Sequence, residues 1–324
     1  MNEKQLEICR GILAAVLMTT VAAACAQPYP AKPVKVLTPG EPFGLTDISA
    51  RLVALKVTDT LGQPVAVENR LGAGGTVAAA AAARAAPDGY TLLVVDERHV
   101  VSPHLFRKLS YDAVADFVPV SLLARAPLVL VVNSHVPAKT VAELAQLARA
   151  KPGLVTVATT GPASAARLFM EALKIDARVS VTSAPYPDAA EALTNVAGGR
   201  TDAVFATIRE AGDHLARGRV RALAVTSEAP SAALPGVPPL KDVYPAFVAY
   251  FWVGMLVPAK TPPAIVARLN DDAARVLRTE ELRDRFGNLG LETVGSSQAE
   301  FEQWLKREFE RWGRVVREGK VTLE

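Results

Sequence analysis

The chain of 324 residues is 50% hydrophobic and 21% charged, with 21 Gly and 23 Pro, which supplies ample material for a core, argues against disorder and suggests about two domains. Its formal charge of +3 is small, and no Lys/Arg run or aromatic-interleaved basic stripe is present, so no nucleic-acid partner is expected.

The amino terminus carries the compartment information. After a weakly basic start, in which Glu3 and Glu7 offset Lys4 and Arg10, residues 11–24 form an uncharged apolar run. The run has signal-peptide length and is shorter than the roughly 20 helical residues that span a bilayer. Small residues at Ala24 and Ala26 place cleavage after Ala26, making residues 1–26 a signal peptide for export to the periplasm. Both Cys9 and Cys25 then leave with the leader, so the mature chain has no disulfide framework and depends on its core. The alternative is a lipoprotein with Cys25 as its lipidated first residue, because Val21-Ala22-Ala23-Ala24-Cys25 loosely resembles a lipoprotein box.

Val34-Lys35-Val36-Leu37 then reads as a strand, and Ile48, Leu52, Leu55 and Leu61 as a helix stopped by Gly62. Pro64-Val65-Ala66-Val67 is a second strand, Gly72-Ala73-Gly74-Gly75 a turn, residues 76–86 an Ala-rich helix and residues 90–95 a third strand. Strand Val129-Leu130-Val131-Val132, a helix opened by the capping box of Thr140 and Glu143, strand Val155-Thr156-Val157-Ala158 and a helix from Ser164 continue the alternation. Strands Ala203-Val204-Phe205 and Ala222-Leu223-Ala224-Val225 follow. The end is helical, with Thr261-Pro262 as an N-cap followed by Pro, and a capping box of Ser297 and Glu300. Such alternation argues for α/β layers with mainly parallel sheets.

The usual signs of chemistry are missing. His99, His104, His135 and His214 have no zinc-ligand spacing, and the mature chain has no Cys to help them, so neither a metal nor a cofactor is expected. There is no nucleophile elbow and no phosphate-binding P-loop, and the third Gly of a dinucleotide fingerprint is replaced by Val77. An enzyme is not expected.

A set of ordered motifs then carries a family resemblance. Tyr29-Pro30-Ala31-Lys32-Pro33-Val34, Gly44-Leu45-Thr46-Asp47, Val67-Glu68-Asn69-Arg70-Leu71-Gly72-Ala73-Gly74-Gly75 and Ala86-Pro87-Asp88-Gly89-Tyr90-Thr91-Leu92 resemble the Bug family. These are substrate-binding proteins of tripartite tricarboxylate transporters. Leu109-Ser110-Tyr111-Asp112, Pro137-Ala138-Lys139-Thr140, Ala184-Pro185-Tyr186, Gly198-Gly199-Arg200-Thr201-Asp202 and Arg221-Ala222-Leu223-Ala224-Val225-Thr226-Ser227 agree in order over essentially the whole mature chain.

The resemblance implies a two-lobed periplasmic binding protein of type II-like architecture, a cleft between the lobes and two crossing segments as hinge. It places residues 27–120 plus 258–324 in lobe 1, and 121–257 in lobe 2 with crossings near 121–129 and 249–257. It implies a monomer that captures a small carboxylate, such as an organic, amino or aromatic acid, and presents it to the membrane subunits of a tripartite transporter. The alternative function is a periplasmic sensing subunit for a membrane receptor. In this family carboxylates are held largely by helix-start N–H groups and water, which fits the unpaired donors and dipole of a helix N-terminus.

The resemblance implies Gly44, Thr46, Asp47, Thr159, Thr160, Gly161, Ser164 and Tyr186 as ligand-binding residues, and the chain's departures from the family add Arg98 and Thr207 as candidates. Phe43 stands where the family has a Gly, and Asp47 is a ligand contact, a plain helix N-cap or both. The family's small second loop is replaced by Asp96-Glu97-Arg98-His99. There Arg98 is either a direct partner of a ligand carboxylate or a member of a solvated loop, paired with Asp96 or Glu97. Pro187-Asp188 replaces Lys-Gly after Tyr186, and Ala206 replaces an acidic residue before Thr207, so a ligand bearing both signs of charge becomes more plausible than a plain tricarboxylate.

Overall fold

The computed structural model describes residues 29–323; the leader, its cleavage point and Cys25 lie outside the described residues. In chain order, β1 (Val34–Thr38) feeds α1 (Leu45–Leu61), then β2 (Val65–Asn69), α2 (Thr76–Ala83), β3 (Thr91–Val95) and α3 (Arg98–Leu105). Gly62 ends α1 with φ 67°, its N–H returning to the Thr58 carbonyl, a left-handed stop that glycine adopts without steric cost. β4 (Phe117–Ala126) passes through Pro127 into β5 (Leu128–Asn133). α4 (Val141–Ala150), β6 (Thr156–Thr159), α5 (Ala165–Ala177), β7 (Thr182–Pro185), α6 (Ala189–Ala197), β8 (Ala203–Thr207), α7 (Ile208–Ala216) and β9 (Val220–Val225) complete the second unit. The chain returns through β10 (Phe251–Pro258) to α8 (Pro263–Leu277), α9 (Glu280–Asn288), β11 (Glu292–Thr293) and α10 (Gln298–Glu318).

The strands form two sheets, ordered β11-β4-β10-β3-β1-β2 and β7-β6-β8-β5-β9. They are mixed and not mainly parallel as the sequence suggests. β1 pairs in parallel with β2 and β3, whereas β10 is antiparallel to β3 and β4, and β11 to β4. In the second sheet β6 is parallel to β7 and β8, while β5 is antiparallel to β8 and β9. Strands delivered by a helical crossover come out parallel; β5 and β10 are delivered from the other lobe without one, so they are free to run the opposite way.

The two crossings are therefore sheet strands themselves. β4 and β10 pair from Phe117↔Pro258 to Ala126↔Phe251 inside the six-stranded sheet. Residues 121–126 and 251–257, grouped with lobe 2 by sequence, belong to the first sheet, because their backbone groups are satisfied by each other there and by β3 and β11. The second sheet takes hold at Ala249, whose N–H meets the Thr226 carbonyl at 2.9 Å.

Helix starts follow the cap chemistry with small offsets. Ser297 and Glu300 form a full capping box. Thr140 accepts from the Glu143 N–H, but the Glu143 carboxylate turns to the Lys139 N–H instead of back to Thr140. Pro262 is the N-cap of α8 and Pro263 its first residue, one step later than expected. The last helix, α10, packs on α3 and β4 of the first lobe and on α5 of the second, so the carboxyl-terminal helix spans both.

Candidate functional site

A cleft of about 550 Å³ lies where the starts of α1 and α5 face each other, lined from one lobe by Glu41, Gly44, Thr46 and Asp96-Glu97-Arg98 and from the other by residues 160–164 and Asp188. Gly44, in extended conformation, opens α1 without a side-chain cap. Helix geometry leaves the first N–H groups of α1 without intrahelical partners at the cleft wall. Ser164 caps α5, its hydroxyl donating to the Thr160 carbonyl at 2.9 Å and accepting from the Arg167 N–H at 3.3 Å. Each start directs a positive dipole end at the same space.

Asp96 organises the floor. Its carboxylate receives Arg98 Nε at 2.8 Å, a second guanidinium nitrogen at 2.6 Å, the Arg98 backbone N–H at 3.1 Å and the Thr46 hydroxyl at 2.7 Å. Burial alone would raise the Asp96 pKa, but the Arg98 charge and the hydrogen bonds from Arg98 and Thr46 outweigh it and hold it below the ordinary carboxylate value. Neighbouring Glu97 does the opposite. One of its oxygens accepts from the Ala165 N–H at 3.1 Å, across the cleft at the first residue of α5. Its other oxygen, Oε2, is buried and has no hydrogen-bond partner among the described residues. Burial, reinforced by the Asp96 charge, pushes the Glu97 pKa well above its ordinary value.

The expectation of a solvated charged loop at residues 96–99 is thus corrected: Asp96 is 1% exposed and Glu97 4%, and Arg98 begins a helix. The pairing of Arg98 with Asp96 is the half of that reading that holds. His99 is also buried, and desolvation lowers its pKa to about 4, so the neutral ring hydrogen-bonds the Ala113 carbonyl at 2.9 Å as a core residue.

Of the residues singled out by sequence, Gly44, Thr46, Arg98, Thr160, Gly161 and Ser164 line the cleft. Asp47 does not, and it is not an N-cap. It is the third residue of α1, buried, with its carboxylate turned back to the Phe43 N–H at 3.0 Å and to Asn69 and Arg51. Thr159 is buried one residue behind the wall, 3.5 Å from the Ser183 hydroxyl. Tyr186 packs on the apolar cluster around Val129 and Leu193. Thr207 caps α7 in a box with Glu210, which consumes its hydroxyl. Sequence reasoning missed Glu41, Phe106 and Phe251 as lining residues, because nothing in their local pattern says which lobe surface they face. Among the described residues, no group of three or more His, Cys, Asp or Glu is placed to hold a metal ion.

A larger concavity of about 760 Å³ beside Arg125, Arg209, Glu228 and Tyr250 includes one helix start, that of α7, but the Thr207–Glu210 capping box already closes it. The cleft brings two helix starts to one space, where this concavity has one.

A family model described as the tripartite tricarboxylate transporter family receptor matches residues 49–321. The chain belongs to this family. BugT of Bordetella pertussis is 33% identical over 306 residues, covering 94% of each chain. MatC from Rhodopseudomonas palustris with bound malate has 33% identity and a TM-score of 0.75, covering 89% of this chain and 100% of that one. A protein of R. palustris with adipate has 28% identity and a TM-score of 0.77, covering 91% of this chain and 99% of that one. The mixed, two-lobed arrangement is thus the fold of tripartite tricarboxylate transporter receptors, and the cleft lies where its two sheets meet.

Proposed function

We propose that this receptor captures a small carboxylate in the cleft between its lobes and delivers it, as a monomer, to the membrane subunits of a tripartite transporter. The observation that carries the reading is the opposition of two helix N-termini, α1 at Gly44 and α5 at Ser164, across one cavity. Oriented backbone donors there favour an anion without any covalent chemistry. Family relatives with malate and adipate support the same ligand class. We place the lobe boundary at Pro127 and near Ala249, with β4 and β10 as the hinge. The signal peptide is removed after Ala26, and mass spectrometry of exported protein starting at Gln27 is the check on periplasmic release.

The test is a thermal-shift screen of the mature protein against mono-, di- and tricarboxylates and amino acids. A true ligand at about a hundred times its dissociation constant adds roughly 2.7 kcal/mol. It should be recovered chemically unchanged after incubation. A folded protein that no carboxylate stabilises would overturn the reading.

A further inference from the structure

Every receptor that closes on a carboxylate needs a donor set free to receive it. At the start of α5 that set is already engaged, by a side chain of the opposite lobe. Glu97 reaches across the cleft, and one carboxyl oxygen accepts from the Ala165 N–H at 3.1 Å. Ala165 is the first residue of a 13-residue helix, so the contact places a protein carboxyl where the dipole and the unpaired N–H groups would otherwise hold an incoming anion. The second oxygen of Glu97 is buried in the same wall and has no partner among the described residues.

A buried carboxyl oxygen left unpaired costs roughly 1–3 kcal/mol, so a ligand cation that takes the place of a proton there and donates a hydrogen bond to the carboxylate recovers that loss. The surrounding charge agrees. The ionisable residues of the cleft wall are Glu41, Asp96, Glu97, Asp188 and Arg98. Arg98 and Asp96 neutralise one another. What remains is acidic, and a second ligand carboxylate would meet repulsion there.

We propose that Glu97 fills the anion seat at the start of α5 with the protein's own carboxyl group, and that the ligand is an amino-carboxylate, offering one carboxylate to the start of α1 and one N–H donor to the free oxygen of Glu97. This rests on the carboxylate-receptor reading and narrows it. The ligand carboxylate meets the first N–H groups of α1 and the guanidinium N–H groups that Asp96 leaves over; Arg98 has five donors, and Asp96 engages only part of the fork. The ligand's ammonium or amide then bridges to Glu97 from the other side.

The test compares ligand pairs of equal length in which one carboxylate is exchanged for an aminomethyl group: adipate with 6-aminohexanoate, and succinate with 4-aminobutanoate. Hexanoate is the control for the single-carboxylate seat. Calorimetric titration of the mature wild-type protein should favour the amino member of a pair by about tenfold or more. Glu97→Gln still accepts from Ala165 but has lost the charge, and should erase that preference. Glu97→Ser empties the seat, and should raise dicarboxylate affinity by a similar factor. Circular dichroism confirms that each variant is folded. A wild-type preference for dicarboxylates, or a preference that Glu97→Gln leaves unchanged, overturns the inference while the carboxylate reading stands. Absence of binding by both pairs and by hexanoate removes the reading beneath it as well.

Discussion

Trp312 of α10 lies flat against Phe169 of α5, with ring centroids 5.5 Å apart and planes 5° from parallel. Both rings are fully buried. The carboxyl-terminal helix is thereby fastened to the second lobe, while the Trp312 indole donates to Glu308 at 2.7 Å, and Glu308 also accepts from Trp252 of β10 at 3.2 Å. One buried carboxyl thus ties the helix to one of the two strands that connect the lobes.

From that arrangement Trp312→Ala should cost about 3–5 kcal/mol, the range for removing a large buried aromatic, and leave Glu308 with one indole donor fewer. Urea unfolding monitored by circular dichroism is the measurement. A loss below about 1 kcal/mol would mean that the stacked pair relaxes without consequence and that α10 is fastened elsewhere.

Arg98→Ala should now affect folding as well as binding. The guanidinium balances Asp96, which is buried, and removing one member of a buried ion pair costs about 3–5 kcal/mol because the other charge is left behind. Arg98 itself is partly exposed, so the lower end of that range is expected. The double variant Asp96→Asn with Arg98→Ala should recover much of the loss, since no buried charge remains. Equal instability of the single and double variants would show that the charge is not the cause.

Phe43 holds a left-handed backbone, φ 67°, and the residue is 88% exposed. Phe43 is not among the residues that line the cleft, so its side chain faces solvent and the strain stays in the backbone. Phe43→Gly should stabilise the protein by about 0.5–1 kcal/mol, the left-handed cost less the extra freedom Gly has when unfolded. Destabilisation on thermal unfolding would show that the ring contributes packing that outweighs the strain.

Much of this was legible in the residues because the signals are local. Short runs rich in Val, Leu and Ala marked β1, β3, β5 and β9, and Gly62, Ser164 and Ser297 marked helix ends through their own backbone and hydroxyl chemistry. The direction of β5 and β10 was not legible, because it depends on which lobe delivers the strand. The same limit applies to the site. In sequence Asp47 reads as a ligand contact or a helix N-cap, and Asp96 and Glu97 as part of a solvated loop, yet their partners, Asn69, Thr46 and Ala165, lie 22, 50 and 68 positions away. A long-range partner decides whether an acidic residue caps, pairs or reaches across a cleft.

Glu97 also makes ligand binding a proton-linked event, with a sign that differs between ligand classes. Its pKa in the folded protein lies well above the ordinary 4.5, through burial first and the adjacent Asp96 charge second, offset in part by Arg98 and by backbone N–H groups including that of Ala165. A carboxyl raised in the folded state stabilises most below its unfolded pKa, and that contribution is lost as pH rises through the folded value. The unfolding free energy of the free protein should therefore fall as pH increases above about 4.5, and Glu97→Gln should flatten that slope. Within the same window the free protein carries a proton on Glu97 that an incoming ammonium must displace. Binding of 6-aminohexanoate should release protons and tighten as pH rises, whereas a dicarboxylate, which prefers the protonated group, should leave that proton in place and, near the folded pKa where part of the free protein has lost it, should take protons up and weaken. Calorimetry in buffers of different ionisation enthalpy reads the number and direction of protons directly. If both ligand classes bind with no buffer dependence, and Glu97→Gln leaves the pH profile of stability unchanged, then Glu97 is not the titrating group in the cleft.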